Sequence, residues 1–378
     1  MIFNTLVCLF DEHNEVNVLL AEKFKVRNLV FICTKYDNEI INELKNTYSK
    51  IIPNCLINFE EIKIGDINGV YSIVDRYKDA LINMTGGDRL IALMLFKVAS
   101  ELGIRSIYVD LINKRRYILT DDFKACHEEF KDMKIKDIFE LSGINIIDES
   151  SYLVDIKEII DITNIIKSNI NIWHKYKQRL YDNKIFIHDY KDNYKVIVNT
   201  NTLEKEEISL LNNSLKYLSN IKGINYQKDK EEITVDFKND YLKGFLFKSG
   251  TWLEVLTHLV IREINEIDEV KSGVIFSWSN KAKEVRNEID VIAIKDSVLV
   301  CISCKDSEKY DEDALNELEV YSEKLGGEDS IKILVATKKP TKITVSNRAK
   351  EMGINLIILD ENIEAFKSKI QEIINKTS

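Results

Sequence analysis

The stretch INMTGGDRLIALMLFKVA, residues 82–99, decides how the first half of this 378-residue chain is interpreted. An apolar run ends at Ile82, a polar segment follows it, and a helix rich in leucine, alanine and methionine begins near Arg89. Two of the 13 glycines, Gly86 and Gly87, stand side by side at this strand-to-helix junction. The pair is typical of a tight turn with a helix cap, and equally of a loop whose bare backbone N–H groups bind an anion.

The same alternation of strand and helix extends on both sides of this junction. Short apolar runs predict five strands, and the segments between them predict four helices. The predicted strands are 2–10, 28–34, 55–64, 81–87 and 104–111, and the predicted helices are 16–24, 38–50, 70–80 and 89–103. Alternating strands and helices indicate a parallel sheet covered on both faces, so we predict an α/β, Rossmann-like domain over residues 1–145.

The rest of the chain divides into a connector and a second α/β domain. Residues 146–240 are predicted to form a mainly helical connector with one strand pair near 185–199. From 241 to 378 the pattern changes to a helix, a hairpin of two apolar strands at 287–305, and further alternating helices and strands. The sequence therefore predicts two α/β domains joined by a helical module.

Composition limits the possible functions. The 53 lysine and arginine residues are outnumbered by 62 aspartate and glutamate residues, and the net charge of −9 argues against a general nucleic-acid coat. We find no signal peptide, and apolar runs such as Leu90–Phe96 are far shorter than the roughly 18 residues that span a bilayer. Six scattered cysteines indicate reduced thiols, so we expect a cytoplasmic protein without a membrane partner.

Polar segments follow three of the predicted N-terminal strands. Ligands of open parallel sheets bind outside the carboxyl ends of the strands, so these segments are candidate ligand contacts. The sequence lacks both the glycine fingerprint of a dinucleotide site and the Walker lysine motif, so NAD and ATP are disfavoured as ligands. We therefore expect a different phosphate-bearing ligand. The segment after the first strand is more typical of a solvated loop that caps the next helix through Asn14. The candidate residues are Asp11, Glu12, His13, Asn14, Thr34, Lys35, Asn83, Thr85, Gly86, Gly87, Asp88 and Arg89.

The apolar hairpin at 287–305 carries charged residues at its ends. Side chains alternate along a strand, so Glu288 and Asp290 are expected to share a face, as are Ser303 and Lys305 on the next strand. Charged groups at the rim of an apolar core are unfavourable unless they are paired or bound to a metal. A hairpin whose charged ends simply reach solvent is an equally weighted alternative.

An acid on the preceding helix completes this second candidate site. Glu254 lies on an otherwise apolar helix face, with His258 one turn later. Two acids and a lysine predict a divalent metal, an activated water and phosphodiester hydrolysis, in which Lys305 orients the nucleophile or stabilises the transition state. His258 is more typical of a packed helix histidine. Zinc and redox roles are disfavoured for Cys301 and Cys304, because their side chains point to opposite faces of a strand.

Residues 331–350 contain several basic side chains and no acid. In a chain with a net charge of −9, this strip beside the second site is typical of a polyanion contact, and equally of an ordinary solvated surface. The cations of the strip are Lys332, Lys338, Lys339, Lys342, Arg348 and Lys350.

With both sites described, the chain resembles a known architecture. The NMTGGDR segment and the polar loop after the first strand resemble a CARF domain, the Rossmann-like sensor of cyclic oligoadenylates in type III CRISPR immunity. The C-terminal third resembles a PD-(D/E)xK domain, which is a restriction-endonuclease-like nuclease fold. The matching positions there are Glu254, Asp290 in NEID, Lys305 in ISCK, Glu317 and Tyr321.

The resemblance assigns roles to residues of the second domain and implies an Mn²⁺ or Mg²⁺ ion. Ser303 stands where this family usually has a second acid, so the Cys304 carbonyl and Glu288 are the expected replacements. The implied catalytic residues are Glu254, Asp290, Lys305 and Glu288, and the implied metal ligands are Glu254, Asp290 and Cys304.

The resemblance also implies a homodimer that binds cyclic tetra-adenylate across its two-fold axis, over two copies of the 83–89 loop. In that loop Asp88 and Arg89 replace the threonine and lysine of the family, and Arg89 keeps the positive charge. The expected activity is cleavage of single-stranded RNA or DNA, with nicking of duplex DNA as a further option, in antiviral type III CRISPR defence. The alternative is a ligand-responsive regulator that binds nucleic acid through a catalytically inactive nuclease-like domain.

Overall fold

The computed structural model describes most of the chain. The described residues are 3–34, 38–120, 123–180, 182–189, 191–192, 194–247, 250–278, 285–360 and 362–376. One predicted site residue, Lys35, lies outside these ranges. Within the described ranges, every helix is too short or too polar to cross a lipid bilayer.

The N-terminal region is built around a seven-stranded sheet. Its strands are β1 (Thr5–Leu9), β2 (Asn28–Cys33), β3 (Leu56–Glu61), β4 (Leu81–Asn83), β5 (Ser106–Asp110), β6 (Arg115–Ile118) and β7 (Lys124–His127). Its helices are α1 (Glu15–Phe24), α2 (Asn38–Ile51), α3 (Ile67–Arg76) and α4 (Arg89–Leu102). The strand order is β3-β2-β1-β4-β5-β6-β7, with parallel pairs from β3 to β5 and antiparallel pairs from β5 to β7.

Continuous apolar runs explain the central strands of this sheet. Leu6, Val7, Cys8 and Leu9 are all buried, as expected for a strand that helices cover on both faces. Leu6 and Cys8 belong to the core that contains α1 side chains, whereas Val7 and Leu9 belong to the core that contains α3 and α4 side chains. The prediction of a helix-covered parallel sheet is confirmed.

A smaller module lies between the two large sheets along the chain. Helix α5 (Ile135–Leu141) and strand β8 (Asn145–Asp148) precede it, and 3₁₀ turns occur at Ser151–Asp155 and Lys177–Arg179. The module contains α6 (Lys157–Ser168), α7 (Ile170–Tyr176), β9 (Phe186–His188), β10 (Lys195–Asn199), α8 (Lys205–Asn220), β11 (Ile224–Asp229) and β12 (Glu232–Phe237). The strands form an antiparallel sheet in the order β11-β12-β10-β9, so a second hairpin joins the predicted strand pair.

The C-terminal region contains a six-stranded sheet. Its helices are α9 (Asp240–Phe247), α10 (Thr251–Arg262), α11 (Glu312–Gly326), α12 (Ile343–Glu351) and α13 (Ile363–Lys376). Its strands are β13 (Glu269–Ser277), β14 (Asn287–Lys295), β15 (Val298–Lys305), β16 (Ile331–Ala336) and β17 (Asn355–Ile358). The strand order is β17-β16-β15-β14-β13-β8, so an edge strand comes from before the middle module.

One apolar core connects the first and last sheets. Side chains of β1, such as Leu6, and of α11, such as Leu315, belong to the same buried cluster. Helix α5 lies between them, and the ring of its Phe139 packs edge-on against Phe276 of β13 with centroids 5.7 Å apart. The two α/β regions therefore share buried contacts in addition to their covalent connection.

Candidate active site and ligand cavity

Asp290 lies near the start of β14, at the end of the sheet where β15 finishes. Its Oδ2 accepts hydrogen bonds from the backbone N–H of Cys304 at 2.6 Å and from the hydroxyl of Ser303 at 3.2 Å. Burial raises the pKa of Asp290, the charge of Lys305 opposes this effect, and the net pKa stays above its usual value. The structure thus brings Asp290, Ser303 and Lys305 to one end of the hairpin.

Ser303 and Cys304 both donate hydrogen bonds to the Asp290 carboxylate. The Ser303 hydroxyl donates a hydrogen bond to Asp290 but adds no negative charge. The Cys304 thiol lies 3.6 Å from the Thr257 hydroxyl, and burial raises the pKa of this thiol well above its usual value. A neutral thiol is a poor ligand, so the backbone carbonyl remains the metal-binding group proposed for Cys304.

The predicted position of Glu288 depends on side-chain alternation along β14, and that alternation is interrupted. Ile289 and Ile292 are buried in the same core, although residues three apart in a regular strand face opposite sides. Gly273 of β13, which has a φ of +54°, lies opposite Asp290 where the interruption occurs. The interruption lies between Ile289 and Ile292, at Asp290 itself, so the shared face of Glu288 and Asp290 stays a prediction.

Helix α10 brings Glu254 toward the same end of the sheet. After burial, the charges of Asp290 and Glu254 are the next causes that raise the pKa of the Cys304 thiol, which places both carboxylates near it. His258 is only 3% exposed, and its Nδ1 lies 3.1 Å from the Ser272 hydroxyl of β13. Burial lowers the pKa of His258 to about 4, so this histidine is a neutral, packed residue.

Helix α11 adds a polar cluster beside β14. The Tyr321 hydroxyl lies 3.1 Å from Glu317 Oε1 and 3.3 Å from Asn287 Oδ1. The charge of Glu317 is also one of the causes, after burial, that raise the pKa of Asp290. Glu317 is therefore close enough to act on Asp290 electrostatically.

The donor atoms at this site fit a hard divalent cation. Mg²⁺ and Mn²⁺ prefer oxygen ligands, and Mg²⁺ commonly binds through one or two carboxylates plus water and substrate phosphate. Asp290, Glu254 and the Cys304 carbonyl could supply such oxygens. Among the described residues, no group of three or more His, Cys, Asp or Glu side chains forms a metal cluster. If these three residues held such an ion, water and substrate oxygens would have to complete its coordination.

Asp306, the residue after Lys305, is the centre of a buried hydrogen-bond network that the sequence did not reveal. Its side chain is 2% exposed. Burial alone would raise the pKa of Asp306, but its hydrogen-bond donors outweigh burial and lower this pKa to about 2. The donors are Trp173 Nε1 at 2.8 Å, Trp252 Nε1 at 2.8 Å, His174 Nε2 at 3.2 Å, Thr337 Oγ1 at 2.9 Å and Lys177 Nζ at 3.0 Å.

The Asp306 network joins three elements that matter for the candidate site. Trp252 precedes Glu254 by two residues on α10, and Asp306 follows Lys305 directly after β15. The other indole, that of Trp173, comes from α7 in the middle module. The network therefore fixes the end of β15 against α10 and α7.

At the carboxyl end of the first sheet, the loop after β1 contacts the loop after β4. Asp11 Oδ2 accepts a hydrogen bond of 2.6 Å from the Gly87 N–H. Gly86 and Gly87 have φ values of +84° and +83°, a left-handed conformation that favours glycine. The Gly87 amide is therefore not bare, and an anion that binds this amide would have to displace the Asp11 carboxylate.

Several residues predicted to bind the ligand form hydrogen bonds within these loops. The Asp88 side chain caps α4 by accepting hydrogen bonds from two N–H groups of the first turn, at 2.9 and 3.1 Å. The buried Asn83 side chain accepts hydrogen bonds from the N–H and the hydroxyl of Thr85. The Asn14 side chain bonds the backbone of Asp11 and makes no cap for α1. These side chains shape the loops around any ligand.

A cavity of about 650 Å³ lies between these loops and the C-terminal end of α11. Thr34, at the end of β2, is not part of its lining. Lys324 of α11 forms an ion pair of 2.7 Å with Glu12 of the loop after β1. Lining residues from the two regions include Asp11, His13, Thr85, Gly86, Gly87, Arg89 and Tyr108, and Glu323, Gly326, Gly327, Glu328 and Asp329. A ligand in this cavity would touch both the N-terminal loops and the helix that carries Glu317 and Tyr321.

Gly87→Ala is expected to destabilise the protein by about 3 kcal/mol, because it combines a left-handed backbone with overpacking. An added Cβ would lie 2.4 Å from Leu9 Cβ. Gly86→Ala is the matched control, since it has nearly the same φ but its nearest atom, Asp11 Oδ2, is 3.1 Å away. Urea unfolding should show a loss about 2 kcal/mol smaller for the control. Equal losses would show that the contact with Leu9 is unimportant.

The geometry of the second site agrees with a family comparison. Residues 243–377 match the family model described as the Card1-like endonuclease domain. This part of the chain contains Glu254, Asp290 and Lys305, and it is similar to the Card1-like endonuclease domain. No curated protein matches the sequence.

Two solved structures share the fold along nearly the whole chain. Protein VC1899 from Vibrio cholerae is 20% identical, with a TM-score of 0.77, and the match covers 99% of this chain and 98% of that chain. Can2 from Sulfobacillus thermosulfidooxidans, solved in complex with cyclic tetra-adenylate, is 17% identical, with a TM-score of 0.72 and coverage of 99% and 98%. These likenesses confirm the predicted α/β fold along nearly the whole chain.

Proposed function

We propose that this chain is a metal-dependent nuclease that cyclic tetra-adenylate activates to cleave single-stranded RNA or DNA in type III CRISPR defence. The observation that carries the proposal is the placement of Asp290, Lys305 and Glu254 at one end of the β14–β15 hairpin, within a Card1-like endonuclease domain. We further propose that the protein acts in the cytoplasm, where its six free cysteines stay reduced.

The proposed reaction is hydrolysis of a phosphodiester bond by water. Asp290, Glu254 and the Cys304 carbonyl would hold Mn²⁺ or Mg²⁺, and Glu288 remains a proposed additional acid. The bound ion would lower the pKa of a water molecule and neutralise charge on the phosphate. Lys305 would orient the attacking water or stabilise the charge that develops on the phosphate oxygens. Ser303 and the Cys304 N–H hold the Asp290 carboxylate in its orientation.

The proposed activator would occupy the cavity of about 650 Å³. Arg89 offers a guanidinium to its phosphates, and the half-exposed Tyr108 offers a ring on which an adenine can stack. The structure of Can2 with cyclic tetra-adenylate supports this choice of ligand, because Can2 shares the fold. The ligand would change the position of α11 only if it binds two arrangements of that helix with different affinities.

We also propose that the protein is a homodimer. The outer face of α4 exposes Leu90, Leu93 and Phe96, with exposed fractions of 48%, 67% and 38%, next to an exposed Phe123. This apolar surface is continuous with the ligand cavity, since both share Arg89 in their lining. A second copy of the chain is the occupant that fits, because a cyclic tetranucleotide has two-fold symmetry and would lie across a two-fold axis.

Leu93→Asp is expected to convert the proposed dimer into a monomer, because it places a charge in an apolar interface. We expect the mass measured by light scattering to fall to that of one chain, 43.9 kDa, at concentrations where the wild-type protein is dimeric. Leu56→Asp is the control, since Leu56 is 65% exposed on β3 at the far edge of the same sheet. A wild-type protein that is already monomeric would contradict the proposal.

The proposed function is tested by cleavage of labelled single-stranded RNA and DNA with Mn²⁺, in the presence and absence of cyclic tetra-adenylate. We expect cutting only with the activator, and no cutting by Lys305→Ala. Cutting by the wild-type protein without the activator would contradict the proposed activation. Cutting by Lys305→Ala would contradict the proposed site.

A second candidate function is a ligand-responsive regulator that binds nucleic acid without cutting it. Ser303 in place of an acid, and the lack of a three-residue metal cluster among the described residues, favour this alternative. A titration with Mn²⁺ separates the two candidates. An inactive domain should bind no Mn²⁺, whereas the proposed nuclease should bind it and should lose this binding in Asp290→Ala.

A further inference from the structure

A second cavity, of about 580 Å³, lies beside the candidate active site. Thr337 and Lys338 follow the end of β16, and Leu359 and Asp360 follow the end of β17. The opposite wall comes from the segment that joins α6 to α7. The cavity therefore lies outside the carboxyl ends of parallel strands, where open α/β sheets bind their ligands.

Two lysines give this cavity a positive charge. Neither Lys167 nor Lys338 pairs with a carboxylate in the part of the chain that the structure describes, and both line the cavity while half-buried. Asp360 also lines it, but its carboxylate pairs with Lys369 at 3.1 Å. The Tyr310 hydroxyl donates a hydrogen bond of 3.0 Å to the carbonyl of Lys338, which anchors this part of the loop.

Three other cations lie on α7 and the 3₁₀ turn after it, namely Lys175, Lys177 and Arg179. Lys175 pairs with Glu204 at 3.3 Å, and the Arg179 guanidinium lies 3.0 Å from Glu207. Lys177 is bound to the buried Asp306. These three cations are thus neutralised within the protein, whereas Lys167 and Lys338 are available to an external anion.

The cavity adjoins the candidate active site through Thr337 and His174. Thr337 donates its N–H to the Lys305 carbonyl at 3.1 Å and its hydroxyl to Asp306. His174 lines the cavity, is 6% exposed, and has an Nδ1 atom that lacks a hydrogen-bond partner among the described residues. The cavity therefore lies against the residues that fix the end of β15.

We propose that this cavity is a second substrate subsite, which holds a backbone phosphate of the single strand next to the nucleotide that is cut. Lys167 and Lys338 would bind the phosphate, and Asn169 and Asn171 would offer amide groups to the adjoining sugar or base. This inference rests on the proposed nuclease function, because it assigns the cavity to the same substrate strand.

The test measures binding of labelled twelve-nucleotide RNA and DNA to the full-length protein by fluorescence anisotropy. EDTA prevents cutting, and cyclic tetra-adenylate is present throughout. We expect Lys338→Glu and Lys167→Glu each to weaken binding about tenfold and to lower the slope of log K against log salt by about one. Lys216→Glu is the control, since Lys216 is an exposed lysine on α8. Losses no larger than that of the control would overturn the proposal.

A second measurement identifies the phosphate. A methylphosphonate, which removes one backbone charge, is moved along the strand, and its effect is compared between the wild-type protein and Lys338→Glu. We expect one position at which the two changes are not additive, as partners in direct contact require. Additive effects at every position would also overturn the proposal. If the wild-type protein binds the strand normally but cuts it under no condition, the nuclease function is contradicted and the subsite is not. If the lysine variants bind the strand as well as the wild-type protein does and still cut it with the activator, the subsite is contradicted and the nuclease function is not.

Discussion

Replacement of Asp290 by alanine is expected to reduce cleavage of nucleic acid by about 1,000-fold or more, since loss of a metal ligand should exceed the roughly 10–100-fold effect of outer-shell changes. The fold should be retained. Burial raises the pKa of Asp290, so the ionised carboxylate is held against a desolvation penalty that alanine removes. The unpaired N–H of Cys304 offsets part of that gain.

The measurement is a single-turnover cleavage assay with Mn²⁺ and cyclic tetra-adenylate, accompanied by urea unfolding of the same protein preparation. Asp290→Asn keeps the shape and one acceptor but removes the charge, so it should be nearly as inactive as the alanine variant. Glu364→Ala, which removes an exposed carboxylate on α13, is the control and should cut normally. An active Asp290→Ala protein would place the reaction elsewhere in the molecule.

Asp306→Ala is expected to destabilise the protein by about 3–5 kcal/mol, the range for removal of one partner from a buried charged network. It leaves the indole N–H groups of Trp173 and Trp252 and the Lys177 ammonium without their acceptor. Urea unfolding measures this loss. Asp236→Ala, an exposed aspartate on β12, should change stability by less than about 0.5 kcal/mol. A similar small effect at Asp306 would show that the network is unimportant.

The Asp306 network also predicts how stability depends on pH. The donors hold the pKa of Asp306 at about 2, below its ordinary value of 3.8. Because the pKa of Asp306 is lower in the folded state than in the unfolded state, its ionised form stabilises the fold at any pH above the unfolded-state pKa. This stabilisation of about 2 kcal/mol is lost as the pH falls from about 4 to about 2. Asp306→Asn lacks this titration, so its stability should fall less than that of the wild-type protein over that range.

The sequence predicted the first sheet well because its signals are local. Buried parallel strands require continuous apolar runs, and β1, β2 and β4 each follow such a run to within a few residues of their observed ends. The hairpin of β6 and β7 was missed, since its residues are mostly half-buried or exposed and show neither an apolar run nor a clear alternation. Edge strand β8 was missed because its partner β13 is more than 120 residues away.

The residues of the candidate active site were recognised only in part, because some of its contacts join residues that are far apart in the sequence. Asp290 and Lys305 are charged residues at the ends of apolar strands, which any local pattern reveals. Asp306 could not be recognised in this way, because its partner Trp173 is 133 residues away in sequence. The irregularity near Asp290, where Gly273 of the neighbouring strand has a positive φ, could not be predicted from the apolar pattern of β14 alone.

The Asp306 network has a consequence for how this chain can be divided. The segment that matches the endonuclease family begins at residue 243. Three of the donors to Asp306, namely Trp173, His174 and Lys177, and the edge strand β8 lie upstream of that point. A fusion protein that carried only residues 243–377 would contain Asp306 without three of its donors and without the edge strand β8. We therefore expect the middle module and the C-terminal region to be transferable as one folded piece, and the shorter segment to be unstable by itself.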